Sequence, residues 1–258
     1  MIESFFSGLD GIIAIMLIVL SGFIGLLSIA SIVTSIVLTI KYLKYNNTLN
    51  SAGLTGEEVA RRILDKNGLE DVAISSSGAF LLGNSYSHHS NKVRIRNMTT
   101  NTASITALAM GSQKASLAIM DKNGDPDMKA RVALTPLAIF GPLAFIPLVL
   151  IGFVVDIFLL KTNGIVSVVI AFLALLFYLV AIIAAIIELK TEKKAQNMAR
   201  EILAEENLAT EDELEQIKSL YTLYNIQYIN DIILAMLEIL YYVLKILAIF
   251  AKSSSKKK

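Results

Sequence analysis

Long uninterrupted apolar stretches dominate the chain and set the first prediction of its architecture. Four occur, at residues 12–40, 132–160, 165–187 and 221–250. A helix needs roughly 20 predominantly apolar residues to cross a bilayer, and each stretch is long enough. The pattern predicts an α-helical integral membrane protein with three to four membrane helices, placed in the cell membrane as a multi-pass protein.

The second apolar stretch contains Pro136, Pro142 and Pro147. Because proline lacks the amide hydrogen that a helix interior uses, we expect this helix to be kinked or broken near its start. The turn at residues 161–164 is too short to hold a domain. The second and third stretches are therefore predicted to form a helical hairpin.

The fourth stretch carries Asp231, Glu238 and Lys245 at intervals of seven residues, near one helix face. Charges inside a span are costly and face a protein interior or water. Two interpretations stay open. The helix spans the membrane with its charged face toward the bundle, or it lies in the interface with that face toward water.

Basic residues flank the apolar stretches and predict the orientation. Lys41 and Lys44 follow the first stretch, Lys129 and Arg131 precede the second, and Lys190 follows the third. Under the positive-inside rule, the polar segments are cytoplasmic and the amino terminus is outside. The predicted parts are a first membrane helix at 1–41, a cytoplasmic α+β region at 42–131, a membrane hairpin at 132–187, a cytoplasmic helical segment at 188–220, and an amphipathic or membrane helix with a Lys-rich tail at 221–258.

The cytoplasmic region 42–131 shows local signals of both helix and strand. Thr55 and Glu58 have the spacing of a capping box, and Gly68 suits the end of the helix that follows. Short strands are predicted at residues 72–74, 79–82 and 93–95, and the helical pattern returns from about residue 100 to Asp121.

Composition narrows the classes of function. The chain is 55% hydrophobic and 17% charged, with a net charge of +1, so nothing points to nucleic acid as a partner. It contains no cysteine, which excludes thiolate metal sites and a cysteine nucleophile. No phosphate-binding loop or nucleophile elbow occurs.

A family resemblance is carried by residues 54–72, LTGEEVARRILDKNGLEDV. This segment resembles the opening of the bacterial membrane-bound neutral zinc metallopeptidases. That family has one amino-terminal span, this helix, a small hairpin, an active-site helix of AAHEVGHAIQD type and a hydrophobic hairpin. Asp121, Arg131 and Pro136 also match the family pattern. The resemblance covers residues 42–203 and implies a small zincin-like α+β domain.

The zinc motif of that family is replaced here. In HExxH, two histidines on one helix face bind zinc and the glutamate acts as general base. Alignment through Asp121 puts Gln113 and Leu117 at the histidine positions and Lys114 at the glutamate position. No catalytic residue and no metal or other cofactor is therefore expected, and the vestigial positions are Gln113, Lys114, Leu117 and Glu188.

A further carboxylate of the family comes from an EFNAS-like segment after the third span, which the resemblance matches to Glu188. Under an alternative reading, zinc is held at a relocated site built from His88, His89 and Glu188. Adjacent strand residues point to opposite faces, so His88 and His89 could share an ion only in a turn.

The sequence thus favours a pseudopeptidase: a non-catalytic scaffold, regulator or binding partner at the membrane. Its expected partners are the lipid bilayer, and an active paralogous peptidase or a membrane protein substrate. One alternative is a membrane zinc metallopeptidase with the relocated site. A second is a small transporter-like membrane protein in which Asp231, Glu238 and Lys245 line a polar path.

Overall fold

The computed structural model of the chain describes residues 9–78, 83–160 and 165–255. It is mostly helical, with one small sheet. In chain order the elements are α1 (Leu9–Asn46), α2 (Gly56–Lys66), β1 (Ala73–Ser77), β2 (Ser85–Ser87), β3 (Lys92–Arg96), α3 (Asn97–Thr100), α4 (Ile105–Lys122), α5 (Pro126–Val154), a π-helical segment (Val155–Leu160), α6 (Ile165–Glu205) and α7 (Glu211–Ser255).

Two helices are long and apolar enough to cross a membrane, judged by length and composition. They are Gly11–Asn46 in α1 and Val166–Glu205 in α6. Their apolar side chains are largely exposed, as shown by Ile18 at 72% and Leu26 at 67%. The predicted count of three to four spans stays a prediction, because within the described residues only these two helices meet the length and hydropathy required.

The chain divides into two compact units. The first comprises Met1–Val33, Pro136–Ala185 and Tyr228–Lys258, and the second comprises Thr34–Thr135 and Ile186–Gln227. In the first unit, Ile13 and Leu20 of α1 pack with Leu244 of α7. The second unit contains the sheet, α2, α4 and the largest apolar core.

Helix α2 begins and ends where the sequence predicts. The Thr55 side chain accepts a hydrogen bond from the backbone of Glu58, whose side chain accepts one from the backbone of Thr55, so the capping box is complete. Gly68 follows the helix with a φ of +63°, which favours glycine. The face bearing Val59 and Ile63 is fully buried in the core.

The sheet has the order β1-β3-β2, with β1 parallel and β2 antiparallel to the central strand β3. Val93 and Ile95 of β3 are fully buried and face the core. The strands predicted at 72–74 and 93–95 correspond to β1 and β3, and the one predicted at 79–82 lies outside the described residues. Strand β2 was not predicted, because Ser85-Tyr86-Ser87 lacks an apolar run.

The predicted break near the start of the second apolar stretch is absent. Helix α5 is continuous from Pro126 to Val154 through Pro136, Pro142 and Pro147. The irregular segment comes later, where Val155–Leu160 is π-helical. Within it, Asp156 is buried and accepts hydrogen bonds from the backbone and the hydroxyl of Ser167.

Candidate functional site

Helix α4, which carries the positions that the resemblance aligns with the zinc motif, lies at the centre of the second unit. Ser104 caps it by accepting a hydrogen bond from the backbone of Ala107, and every residue from Ile105 to Met120 is buried. Gly111 allows a close approach to α2, because a Cβ built there would lie 2.7 Å from the carbonyl oxygen of Gly56. The helix is therefore held rigidly by packing on its whole circumference.

Gln113 and Lys114 both bind Glu192 of α6. Nε2 of Gln113 donates to Oε2 of Glu192 at 2.7 Å, and Nζ of Lys114 donates to the same oxygen at 2.8 Å. All three side chains are buried, with residue exposures of 4%, 6% and 2%. Gln113 and Lys114, the two polar residues at the positions aligned with the motif, thus both contact one buried carboxylate, and Lys114 forms an ion pair with it.

The other oxygen of Glu192 is bound by Arg131 of α5. Nη2 of Arg131 lies 2.8 Å from Oε1 of Glu192 and 3.2 Å from Oε1 of Glu188. The negative charges of Glu188 and Glu192 therefore balance the positive charges of Lys114 and Arg131. We call Gln113, Lys114, Arg131, Glu188 and Glu192 the buried ion network.

The electrostatics of Glu192 follow from these contacts. Burial by itself would raise the pKa of its carboxyl group, because a charge is costly to remove from water. The positive charges of Lys114 and Arg131, and the hydrogen bonds that they donate, outweigh that effect and hold the pKa below its ordinary value. Glu192 is therefore an anion that is neutralised by the chain itself.

Glu192 is the residue that the sequence analysis missed. The resemblance matched the family carboxylate to Glu188, four residues earlier on α6. One helical turn separates the two, so both point to the same side of α6. The structure brings Glu192 to Gln113 and Lys114, whereas the side chain of Glu188 is 36% exposed and pairs with Arg131.

Leu117, which the resemblance aligns with the second histidine, lies in a hydrophobic cluster. It is 0% exposed and packs in a cluster with Met120, Met128 and Ala195, which come from α4, α5 and α6. A zinc ligand at this position would need a nitrogen, oxygen or sulfur donor. Leu117 supplies none, and it is buried among apolar side chains.

The residues present at the motif do not fit zinc. An ammonium group stands in place of the general base and repels a dication, an amide is a poor ligand, and leucine is none. Within residues 9–78, 83–160 and 165–255, no three His, Cys, Asp or Glu side chains are grouped so that they could hold a metal ion.

His88 and His89 lie in the turn after β2, with ring centroids 5.5 Å apart. Nδ1 of His88 lies 2.6 Å from Oδ2 of Asp121, and the Tyr86 hydroxyl donates to the same oxygen at 2.7 Å. Burial and this hydrogen bond raise the pKa of Tyr86. His88 therefore pairs with Asp121, while Glu188 belongs to the buried ion network.

A surface pocket of about 350 Å³ is lined by this group of side chains, including Tyr86, His88 and Asp121. Lys122 at its rim donates a hydrogen bond to the carbonyl oxygen of Gly68. Asp121, which the resemblance matched to the Asp that follows the zinc motif, thus ties the end of α4 to β2.

The three charged residues of the fourth apolar stretch have separate partners. Asp231 accepts a hydrogen bond from the Ser31 hydroxyl at 3.0 Å, and Glu238 accepts one from the Tyr178 hydroxyl at 3.1 Å. Lys245 lies 4.8 Å from the ring centroid of Tyr241 on its own helix. No described contact joins the three charges to each other.

Comparison with known proteins agrees with the resemblance seen in the sequence. The profile of the family described as "Putative neutral zinc metallopeptidase" matches residues 17–247. A protein of Bacillus subtilis (strain 168), described as "Putative membrane protease YugP", is 24% identical over 204 residues, covering 78% of this chain and 84% of that protein. No solved structure matches the chain. Since the family profile spans most of the sequence, this chain belongs to the neutral zinc metallopeptidase family.

Proposed function

We propose that this chain is a membrane-embedded, non-catalytic member of its family, a pseudopeptidase that binds a protein partner. The observation that carries the proposal is the buried pair of Lys114 and Glu192, 2.8 Å apart. An ammonium group that belongs to the chain neutralises the carboxylate nearest to the former motif.

The chemical requirements of zinc peptidases support a non-catalytic role for this chain. Zinc peptidases lower the pKa of a metal-bound water and use a nearby carboxylate as general base. Here Lys114 stands in place of that carboxylate and cannot accept a proton while it is ionised. Zinc would have to displace Lys114 and Arg131 from Glu192, and it would gain only the weak amide ligand of Gln113.

The placement in the cell membrane is supported by the surface of the helices. Large apolar side chains are exposed along α1 and α6, for example Ile29 at 62% and Phe172 at 58%. Monomeric soluble proteins seldom expose continuous apolar surface of this extent. The relative from Bacillus subtilis is also described as a membrane protein. The polar segments 42–131 and 188–220 then face the cytoplasm.

The proposed role is to hold a protein at the membrane without cleaving it. Either an active paralogous peptidase or a membrane protein substrate fits this role, because α2, the sheet and α4 occur in the order that the resemblance implies for the family. The relocated zinc site of His88, His89 and Glu188 gains no support, since His88 and Glu188 pair with Asp121 and Arg131 respectively.

A cleavage and capture experiment tests this function. The full-length protein, purified in mild detergent, is incubated with unfolded casein and with detergent-solubilised membrane proteins, with and without a zinc chelator. We expect no chelator-sensitive cleavage and a protein partner retained after affinity capture from native membranes. Chelator-sensitive cleavage that is lost in His88→Ala or Glu188→Ala would overturn the proposal in favour of the relocated site.

A further inference from the structure

The outer face of the sheet is a row of basic side chains between hydroxyl groups. Lys92, Arg94 and Arg96 alternate with the buried residues of β3 and therefore point away from the core. In the strand register, Arg94 lies between Ser75 of β1 and Ser85 of β2. Lys92 is paired with Ser87 and Arg96 with Ser77 in the same register. We call these seven residues the basic sheet face.

No ion pair in the described part of the chain neutralises the charges of this face. Among the described residues, no Asp or Glu forms an ion pair with Lys92, Arg94 or Arg96, whereas Arg62, Lys114, Arg131 and Lys194 of the same unit each have a carboxylate partner. Ser75 and Ser85 likewise make no side-chain hydrogen bond inside the described chain. Three positive charges within about 13 Å of strand length are left for an anion from outside.

One end of the basic sheet face opens into a mostly apolar pocket of about 440 Å³. Arg96 lies there, with its guanidinium carbon 5.3 Å from the ring centroid of Tyr42. Thr39 and Leu43 of α1 and Met98 of α3 form the apolar wall. Leu43 and Met98 are 43% and 41% exposed, so a ligand can reach this wall.

The position of this pocket along α1 indicates its ligand. The apolar stretch of α1 ends at Ile40, and Thr39 and Leu43 flank that end. In a helix that spans the membrane, residues at this position lie at the level of the lipid headgroups. Arg96 is thus placed where a headgroup phosphate meets the first apolar groups of a lipid.

We propose that the basic sheet face and this pocket bind the phosphate of an anionic phospholipid. Arg94 and Arg96 pair with the phosphate and its headgroup, Ser75 and Ser85 donate hydrogen bonds, and Leu43 and Met98 contact the glycerol and the upper acyl chain. The apolar wall favours a lipid over an acidic peptide, which would find no partner there for its own backbone groups. This inference rests on the membrane placement in the proposed function, but not on the loss of zinc.

The test uses the full-length protein in uncharged detergent and measures equilibrium binding by native mass spectrometry. The probes are dihexanoyl phosphatidylglycerol, dihexanoyl phosphatidylcholine and inorganic phosphate. Two double variants are compared, Arg94→Gln with Arg96→Gln, and Arg62→Gln with Lys66→Gln. Both remove two positive charges, but the second pair lies on α2 and contacts Glu206. Arg94→Gln alone is a third variant, because no hydrogen bond or ion pair of the Arg94 side chain occurs among the described residues.

We expect phosphatidylglycerol to bind more tightly than phosphatidylcholine. Binding of phosphatidylglycerol should weaken about tenfold or more in the double variant of Arg94 and Arg96. It should be unchanged in the double variant of Arg62 and Lys66. Equal weakening in both variants, or equal binding of the two lipids, would overturn the proposal. Inorganic phosphate that competes as strongly as the lipid would assign the site to free phosphate instead.

Because the short-chain lipids are presented without a bilayer, their binding can be measured whether or not the chain spans a membrane. The failure of the lipid site can therefore be distinguished from the failure of the proposed function. Resistance of the chain to extraction from native membranes by alkaline carbonate tests the membrane placement, and zinc content tests the loss of the metal. A chain that resists extraction, holds no zinc and still fails to prefer phosphatidylglycerol contradicts the lipid site alone.

Discussion

Nζ of Lys114 lies 2.8 Å from Oε2 of Glu192, and both side chains are almost completely buried. The two residues are 78 positions apart and are joined by the packing of α4 against α6. A buried ion pair of this kind is stable only while every member has its partner. The pair therefore places a neutralised carboxylate beside the part of α4 that the resemblance aligns with the zinc motif.

Removal of one charge from the pair of Lys114 and Glu192 should destabilise the fold. Glu192→Gln leaves Lys114 and Arg131 buried without a full counter-charge, and we expect the free energy of unfolding to fall by about 3–5 kcal/mol. The measurement is denaturant-induced unfolding of the full chain in mild detergent. Glu188→Gln is the matched control, since this carboxylate is partly exposed and should cost under about 1 kcal/mol. Equal losses in the two variants would show that Glu192 has no special role.

The same pair predicts a dependence of stability on pH. Because the folded chain lowers the pKa of Glu192 below the ordinary value of 4.5, its contribution is complete above that pH. The contribution is lost as the pH falls through the lowered pKa of the folded state. Unfolding midpoints measured from neutral pH to acid should therefore differ between the wild type and Glu192→Gln at neutral pH and converge below about pH 4.5. A difference that stays constant over the whole range would contradict this account.

The crossing of α2 and α4 predicts a steric effect. Gly111→Ala would place a Cβ 2.7 Å from the carbonyl oxygen of Gly56 and 3.3 Å from Cβ of Val59. The helices must then move apart, and we expect a loss of about 1–3 kcal/mol in the free energy of unfolding. Gly25→Ala serves as control, since nothing lies within 4 Å of a Cβ built there. An unchanged unfolding midpoint in Gly111→Ala would show that the two helices can separate freely.

The sequence predicted those parts of the fold that depend on local signals. Thr55, Glu58 and Gly68 mark both ends of α2 through capping and a left-handed turn, and neither depends on distant contacts. The start of α4 was predicted too early, because residues 97–100 form a separate short helix before Ser104 caps α4. The prolines of α5 predicted a kink or a break, and the helix is not broken at them.

The candidate site was only half accessible to sequence reasoning. The positions of Gln113, Lys114 and Leu117 followed from the family motif. The carboxylate that Gln113 and Lys114 contact did not. Glu192 lies in a run of charged residues on α6, where Glu188 and Glu192 differ by one helical turn. Only the packing of α6 against α4 selects Glu192, and a contact between residues 78 positions apart leaves no local pattern.

The most direct test of the central claim is the zinc content of the detergent-purified protein. It would be measured by inductively coupled plasma mass spectrometry after dialysis against zinc and removal of free metal. The matched variant carries Gln113→His, Lys114→Glu and Leu117→His, which restores the family motif beside Glu192. We predict far less than one zinc per chain in the wild type and a clear gain in the variant. Near one zinc per wild-type chain, retained in Lys114→Ala and lost in His88→Ala or Glu188→Ala, would contradict the account.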